Sequence, residues 1–308
     1  MKKQFSYESA GGGTIVATSW EPEGKTVGVV QIIHGIAEHV ARYEDFASYL
    51  NGLGYTVVAE DHMGHGASVG KNGQLGYFSG GWWAAVEDTC CLMRMTMQKY
   101  PDIPYVLFGH SMGSFMARSI LAKYPDSGIS GCIICGTGWQ EKTVLRAGRV
   151  LANMICKLQD PQLPSAVLHN VAFGAYNKRV ERPRTASDWL TRDTAVVDAY
   201  VADPLCGFQA SAGLMRDMFE GIAYIQTPEA LCGMNKTLPV YFIAGGDDPV
   251  GNYGKGVRKT AQAFREAGME RVQTKIYPLD RHEILNEINK LDVYRAVANW
   301  LQTATEKT

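Results

Sequence analysis

Short apolar runs alternate with longer amphipathic stretches through the first 135 residues. Residues 4–9 and 14–20 flank Gly11-Gly12-Gly13 and predict a hairpin. Runs at 27–33 and 55–59 read as buried strands. Between them, 43–53 carries Phe46, Leu50 and Leu53 at helical spacing, with Gly54 behind. A helix is predicted over 86–100, a strand over 105–108, a helix carrying Phe115, Met116, Ile120 and Leu121 that Pro125 closes, and a strand over 129–135. Strand and helix in strict alternation predict an α/β fold, a mostly parallel sheet covered by helices.

The pattern changes after Gly136. Val144, Ala147, Leu151, Met154, Ile155 and Leu158 form an apolar helical stripe among Lys142, Arg146, Arg149 and Lys157, and Pro161 and Pro164 break it. Helices are predicted over 185–201 and 213–225, with Asp203-Pro204 as a turn between them. The strand pattern returns at 238–244 and 271–277, and 292–301 predicts a closing helix. The expected organisation is a core of residues 1–135 and 236–308, interrupted by a mainly helical cap at 136–235.

A chain of 308 residues is long enough for that core and insertion, and 46% hydrophobic with 20% charged residues is ordinary for a globular protein. The net charge of −1 provides no basic field, so no nucleic-acid partner is expected. The start of the chain lacks an apolar signal region, and no apolar run approaches membrane-spanning length. Seven irregularly spaced cysteines point to free thiols in a reducing compartment, and the expected location is cytoplasmic. Cys132 and Cys135 share the 129–135 strand pattern, where positions three apart face opposite ways. They read as core residues and not as a redox pair.

The chemistry concentrates at Gly109-His110-Ser111-Met112-Gly113, between the strand over 105–108 and the helix after it. A serine at a sharp strand-to-helix turn needs tiny neighbours two positions away on either side, because side chains there collide. The turn lifts the hydroxyl above the sheet edge. It also leaves the first helical N–H, that of Met112, free to face a developing oxyanion.

A serine hydroxyl needs a base to take its proton and a third group to orient that base. Of the seven histidines, only His169 and His282 follow Ser111. His169 lies in the helical insertion with no strand-end acid before it. His282 lies in a loop after a strand, where catalytic groups are often placed. The acid is expected at the end of the preceding strand, where Gly245-Gly246-Asp247-Asp248-Pro249 offers two carboxylates. Proline favours an extended backbone at the residue before it, which favours Asp248 over Asp247. His34-Gly35-Ile36 follows an early strand and is placed to supply a second oxyanion donor, the N–H of Ile36. His34 reads as a structural hydrogen-bonding residue, and Asp61 as the brace of a tight turn. His39, His62, His65 and His110 raise the question of a metal, but His62-x-x-His65 sits in a glycine loop without cysteine and without zinc spacing. No metal and no cofactor are expected.

Five segments spread along the chain carry a family likeness: His34-Gly35-Ile36-Ala37-Glu38-His39 with Arg42-Tyr43, Asp61-His62-Met63-Gly64-His65-Gly66-Ala67-Ser68, Gly109 to Ser114, Gly245 to Val250, and Arg281-His282-Glu283. The chain resembles the α/β-hydrolase superfamily, and within it the monoacylglycerol lipase and lysophospholipase-like serine hydrolases. The resemblance implies Ser111, Asp248 and His282 as a catalytic triad, the Ile36 and Met112 amides as the oxyanion hole, and a cap over the site. Met63 stands where that family commonly has arginine. The implied substrates are small-molecule esters or lipids such as monoacylglycerols and lysophospholipids. Outward apolar residues of the cap would allow transient contact with a lipid surface. Leu214, Met215, Met218, Phe219 and Ile222 read first as core packing and second as an acyl-chain wall. A peptidase, amidase or small-ester esterase would use the same triad, and a ligand-binding protein without turnover is the reading from another class.

Overall fold

Five of the strands have no exposed residue: β3 (Gly28–Ile33), β4 (Tyr55–Asp61), β5 (Tyr105–His110), β6 (Gly131–Cys135) and β7 (Val240–Gly245) are buried throughout. Strands buried on both faces belong between two layers of helices. The computed structural model, which describes residues 1–69 and 74–305, places them in an eight-stranded sheet. With β1 (Lys2–Glu8), β2 (Thr14–Trp20) and β8 (Val272–Tyr277), the order is β1-β2-β4-β3-β5-β6-β7-β8. The β1–β2 and β2–β4 pairs are antiparallel and all the others parallel.

The alternation of side chains along these strands divides the core in two. On one face Ile33, Leu107, Ile134 and Phe242 meet α2 (Gly81–Lys99), α3 (Met112–Lys123) and α9 (Lys255–Glu266). On the other, Ile32, Phe108, Ile133 and Ile243 meet α1 (Glu44–Gly52) and α10 (Lys290–Thr305). Cys132 falls in the first cluster and Cys135 in the second, so the two thiols face opposite sides of the sheet, and all seven cysteines are free. The helix α2 starts earlier than its apolar pattern indicates. Its first turn is anchored by Trp82, which is buried and donates its indole N–H to Ser119 at 3.1 Å.

Between β6 and β7 the chain leaves the sheet and forms α4 (Lys142–Leu158), α5 (Ala166–Phe173), α6 (Thr194–Ala202), α7 (Ala212–Tyr224) and α8 (Pro228–Gly233). The last four begin at Ser165, Asp193, Ser211 and Thr227, whose side chains accept the first free helical N–H groups. The helix expected over 185–201 exists only from Thr194 onward. In 185–193 the backbone is committed elsewhere. The carbonyls of Asp188 and Thr191 accept from Arg281, and that of Leu190 accepts from the Glu283 N–H at 2.7 Å. Arg192 reaches Asp280 and Glu287. These bonds to the loop after β8 replace the helical ladder.

Candidate active site

The site is assembled at the C-terminal ends of β3, β5, β7 and β8, where loops leave a parallel sheet and ligands characteristically bind. Ser111 follows β5 directly, with φ 52° and ψ −118°, a strained conformation for a residue with a side chain. Its N–H is held by the Cys135 carbonyl at 3.0 Å. The glycines on either side are required by space. A Cβ on Gly109 would lie 2.4 Å from the Gly113 carbonyl oxygen, and one on Gly113 would lie 1.9 Å from that of Ile33.

His282 follows β8, and its Nδ1 lies 3.0 Å from Asp248 Oδ1. The contact is close but poorly aligned: neither His282 Nδ1 nor Asp248 Oδ2 has a hydrogen-bond partner among the described residues. Such bonds often tighten only when substrate is bound. Asp248 is fully buried, and its Oδ1 accepts the Val250 N–H at 2.8 Å. The imidazole of His282 lies between two rings, 5.0 Å from Trp189 and 4.8 Å from His110, centre to centre. The amides of Ile36 and Met112 donate to no acceptor among the described residues. A Cβ on Gly35 would come within 3.0 Å of Ser111 Cβ, so the loop carrying Ile36 passes against the serine. Ser111, His282 and Asp248 thus converge, with Ile36 and Met112 beside the serine. His169 also faces the same cavity, from α5.

A buried ionic network lies under the site. Glu38 Oε1 accepts from the Gly35 N–H at 2.6 Å and the Tyr43 hydroxyl at 2.9 Å, and stands 3.0 Å from His110 Nδ1. Its other oxygen accepts from Arg42 at 2.9 Å, and Arg42 also holds Glu283 by two bonds of 2.5 and 2.6 Å. Burial by itself would raise both carboxyls. The charge and hydrogen bonds of His110 and Arg42 outweigh it and hold Glu38 well below the usual range, and Arg42 does the same for Glu283. Burial pulls the His110 imidazole down, yet Glu38 raises it overall. The sequence reading named Glu38 and Arg42 only as parts of motifs, and set Glu283 aside as a poor rival to Asp248 because it adjoins the proposed base. Glu38 and Arg42 are four apart in sequence, but Glu38 precedes the short turn Val40–Tyr43 and is not helical, so no local pattern marks the network.

Two further readings concern the loop after β4. Asp61 braces it, accepting from the Val40 N–H and the Ala67 N–H at 2.8 Å each. His34, fully buried, donates from Nδ1 to the Gly35 carbonyl and accepts the His62 N–H at Nε2. His34, His62 and His65 pack as tilted and edge-on rings, and burial drives His65 down to about 3, so it stays neutral.

Above Ser111 lies a cavity of about 610 Å³ between the sheet and the inserted helices. Met218, Phe219 and Ile222 of α7 form part of its wall, whereas Leu214 and Met215 on the same helix are fully buried in the core. The single stripe read from the sequence thus divides between the two tasks. The stripe on α4 divides too. Val144, Ala147 and Leu151 line the cavity, Val144 while still largely exposed, whereas Met154 and Leu158 are exposed away from it, together with Val150.

A serine on a strained strand-to-helix turn, under a mostly parallel sheet's loops and beside a buried histidine and aspartate, defines an α/β-hydrolase-type serine hydrolase. Residues 24–289 match the serine aminopeptidase, S33 family, and the chain belongs to that family. It is similar to the monoacylglycerol lipase of Mycolicibacterium smegmatis, 29% identical over 305 residues covering 97% of each chain. It is also similar to the monoglyceride lipase of Mus musculus, 31% identical over 201 residues, 64% of this chain and 58% of that protein. A highly thermostable carboxyl esterase from Bacillus coagulans, solved with glycerol, superposes with a TM-score of 0.89 at 31% identity over 99% of both chains. A monoglyceride lipase of Saccharomyces cerevisiae shares the fold, with a TM-score of 0.81 at 18% identity over 100% of this chain and 96% of that one.

Proposed function

We propose that this chain is a monoacylglycerol lipase-type enzyme that cleaves a single long acyl chain from a small polar alcohol. It is a carboxylic ester hydrolase. The observation that carries the finer reading is the 610 Å³ cavity, walled by Leu145, Leu151, Met218, Phe219 and Ile222, with Ser111 and His282 at its base. Its volume lies within the roughly 300–1,000 Å³ typical of sites that enclose one small ligand.

In this mechanism His282 takes the Ser111 proton as the serine oxygen attacks the ester carbonyl. The carbonyl π electrons move onto oxygen, and the Ile36 and Met112 amides hold the resulting oxyanion. Asp248 stabilises the imidazolium. The tetrahedral intermediate collapses, His282 gives its proton to the departing alcohol oxygen, and the acyl group remains on Ser111. Water then attacks the acyl carbon with His282 again as base; the acyl–oxygen bond to Ser111 breaks, His282 returns the proton to the Ser111 oxygen, and the acid leaves. Each oxyanion donor contributes about 3 kcal/mol if it behaves like those measured elsewhere.

An aminopeptidase would need an unpaired carboxylate for the substrate's free amine. Glu38 and Glu283 are the carboxylates on the cavity wall among the described residues, and both are already engaged, Glu283 by Arg42 and Glu38 by Arg42 and His110. This favours a neutral ester over a peptide. The segment from 136 to 235 acts as the cap. It exposes Val150, Met154 and Leu158 of α4, the helix that also carries Lys142, Arg146 and Lys157. An apolar face bordered by cations suits transient contact with an anionic lipid surface. No described helix is long and apolar enough to cross a membrane.

The test is a comparison of 1-monoacylglycerols with p-nitrophenyl esters of increasing chain length and with aminoacyl p-nitroanilides. A rate maximum at long acyl chains and no anilide turnover support the reading. A maximum at acetyl esters, or preferred anilide cleavage, rejects it.

A further inference from the structure

His39, Asp203 and Cys206 lie outside the triad and come together from segments far apart in the chain. His39 opens the short 3-10 turn Val40–Tyr43 at the end of the Ile36 loop. Asp203 and Cys206 occupy the turn after α6, closed by the Cys206 N–H to the Asp203 carbonyl at 3.0 Å. The Leu205 N–H holds Asp203 Oδ1 at 2.8 Å, which leaves Oδ2 directed at His39 Nε2, also 2.8 Å away. An imidazole nitrogen, a carboxylate oxygen and a thiol sulfur all lie within 4.8 Å of one another.

We propose that these three residues bind one borderline-soft divalent transition-metal ion of the zinc class, and that the ion slows turnover by clamping the cap to the Ile36 loop. The donor set selects the ion. Thiolate and imidazole suit zinc, cobalt or copper, whereas magnesium and calcium seek oxygen ligands. Three protein ligands with a fourth place for water make an ordinary zinc geometry. Ligand atoms about 2.0–2.3 Å from such an ion stand roughly 3.3–3.7 Å apart, so His39 and Asp203, now 2.8 Å apart, must separate, and any pair as far apart as the 4.8 Å limit must close by about 1 Å. Asp203 retains 32% of its side-chain exposure and His39 13%, which leaves a way in. The cation nearest the thiol, Arg42, is already offset by Glu38 and Glu283.

Binding is balanced by one proton. As the metal takes the sulfur lone pair of Cys206, the thiol proton leaves to solvent. His39 moves its proton from Nε2 to Nδ1 and presents Nε2 to the ion. The effect on turnover follows from what adjoins the site, and this half rests on the proposed ester hydrolysis. Ala37, next to Ile36 and strained at φ 55°, has its carbonyl held by the Tyr200 hydroxyl and the Gly207 N–H, each at 2.9 Å. A metal joining His39 to Asp203 and Cys206 fixes both sides of that contact and resists movement of the cap during product release.

The experiment is titration of the whole protein with Co²⁺, read by the near-ultraviolet thiolate-to-cobalt charge-transfer band. The expected result is saturation at one ion per chain, no band in Cys206→Ser, and an affinity at least about 10-fold weaker in Asp203→Asn, which keeps the local shape. Ser111→Ala must show the parent band, so this readout stands whether or not the chain cleaves esters. No saturable band, or an unchanged band in Cys206→Ser, overturns the site. In the activity arm, Zn²⁺ slows the parent and leaves Cys206→Ser unaffected. Equal inhibition of both overturns the clamp.

Discussion

Arg42 grips the carboxylate of Glu283 with two hydrogen bonds of 2.5 and 2.6 Å, and Glu283 is the residue after His282. The same guanidinium holds Glu38, whose carboxylate fixes the Gly35 N–H beside Ile36. One buried cation therefore sets the spacing between the proposed base and the proposed oxyanion loop.

Removing that cation leaves the buried Glu283 without a counter-charge and Glu38 with His110 alone. Arg42→Met is expected to lose about 3–5 kcal/mol of stability, the cost of breaking a buried ion pair from one side. Its kcat should fall more than its KM rises. Arg42→Lys keeps the charge but not the fork, so it should recover part of the stability and less of kcat. Urea denaturation and steady-state kinetics on a short ester check both.

The same network gives stability a pH signature. The folded carboxyls of Glu38 and Glu283 are depressed from their ordinary 4.5, so their contribution is present above that value and is lost as pH falls through the folded values. His110 is raised from 6.5, so its contribution is complete below that value and is lost as pH rises through the folded one. Stability should therefore decline on both limbs. Glu283→Gln should flatten the acid limb and His110→Asn the alkaline one, as read from denaturation midpoints across pH.

Gly35→Ala probes the approach of the loop to the serine. The added Cβ would meet Glu38 Oε1 at 2.6 Å and Ser111 Cβ at 3.0 Å. The loop must move, and the Ile36 amide moves with it. A loss of about 10²–10³ in kcat is expected, the usual effect of losing one oxyanion donor, while circular dichroism stays unchanged.

The cavity wall on α7 should set acyl-chain length. Ile222→Trp fills space beside Met218 and Phe219 and should shift the preferred p-nitrophenyl ester to shorter chains. Acetate ester turnover should hold within a few-fold.

The exposed apolar residues of α4 separate lipid contact from chemistry. Val150→Asp with Leu158→Glu should weaken sedimentation with anionic phosphatidylglycerol vesicles. Hydrolysis of a soluble short ester should not change.

Periodicity made the sheet legible, because strands buried on both faces are continuous apolar runs. The proposed triad of Ser111, His282 and Asp248 rests on local rules in the sequence: tiny neighbours about a strained turn, a loop histidine after a strand, and an aspartate before proline. What stayed hidden depended on long-range partners. Residues 185–193 carry a helical pattern but form turns and bends, because Arg281 and Glu283 take their backbone groups. Arg42 and Glu283 are 241 positions apart, and nothing local marks them as a pair. The apolar stripe of α7 could not reveal that Leu214 serves the core while Ile222 serves the cavity, since both tasks ask for the same residue type.

The most direct measurement is release of fatty acid from a long-chain 1-monoacylglycerol by the parent chain and by Ser111→Ala, at matched folded concentration. Turnover by the parent, with loss of about 10³-fold or more in the variant, is the predicted result. Equal rates in the two proteins, or no release by a parent that still reacts at Ser111 with a fluorophosphonate, would contradict it.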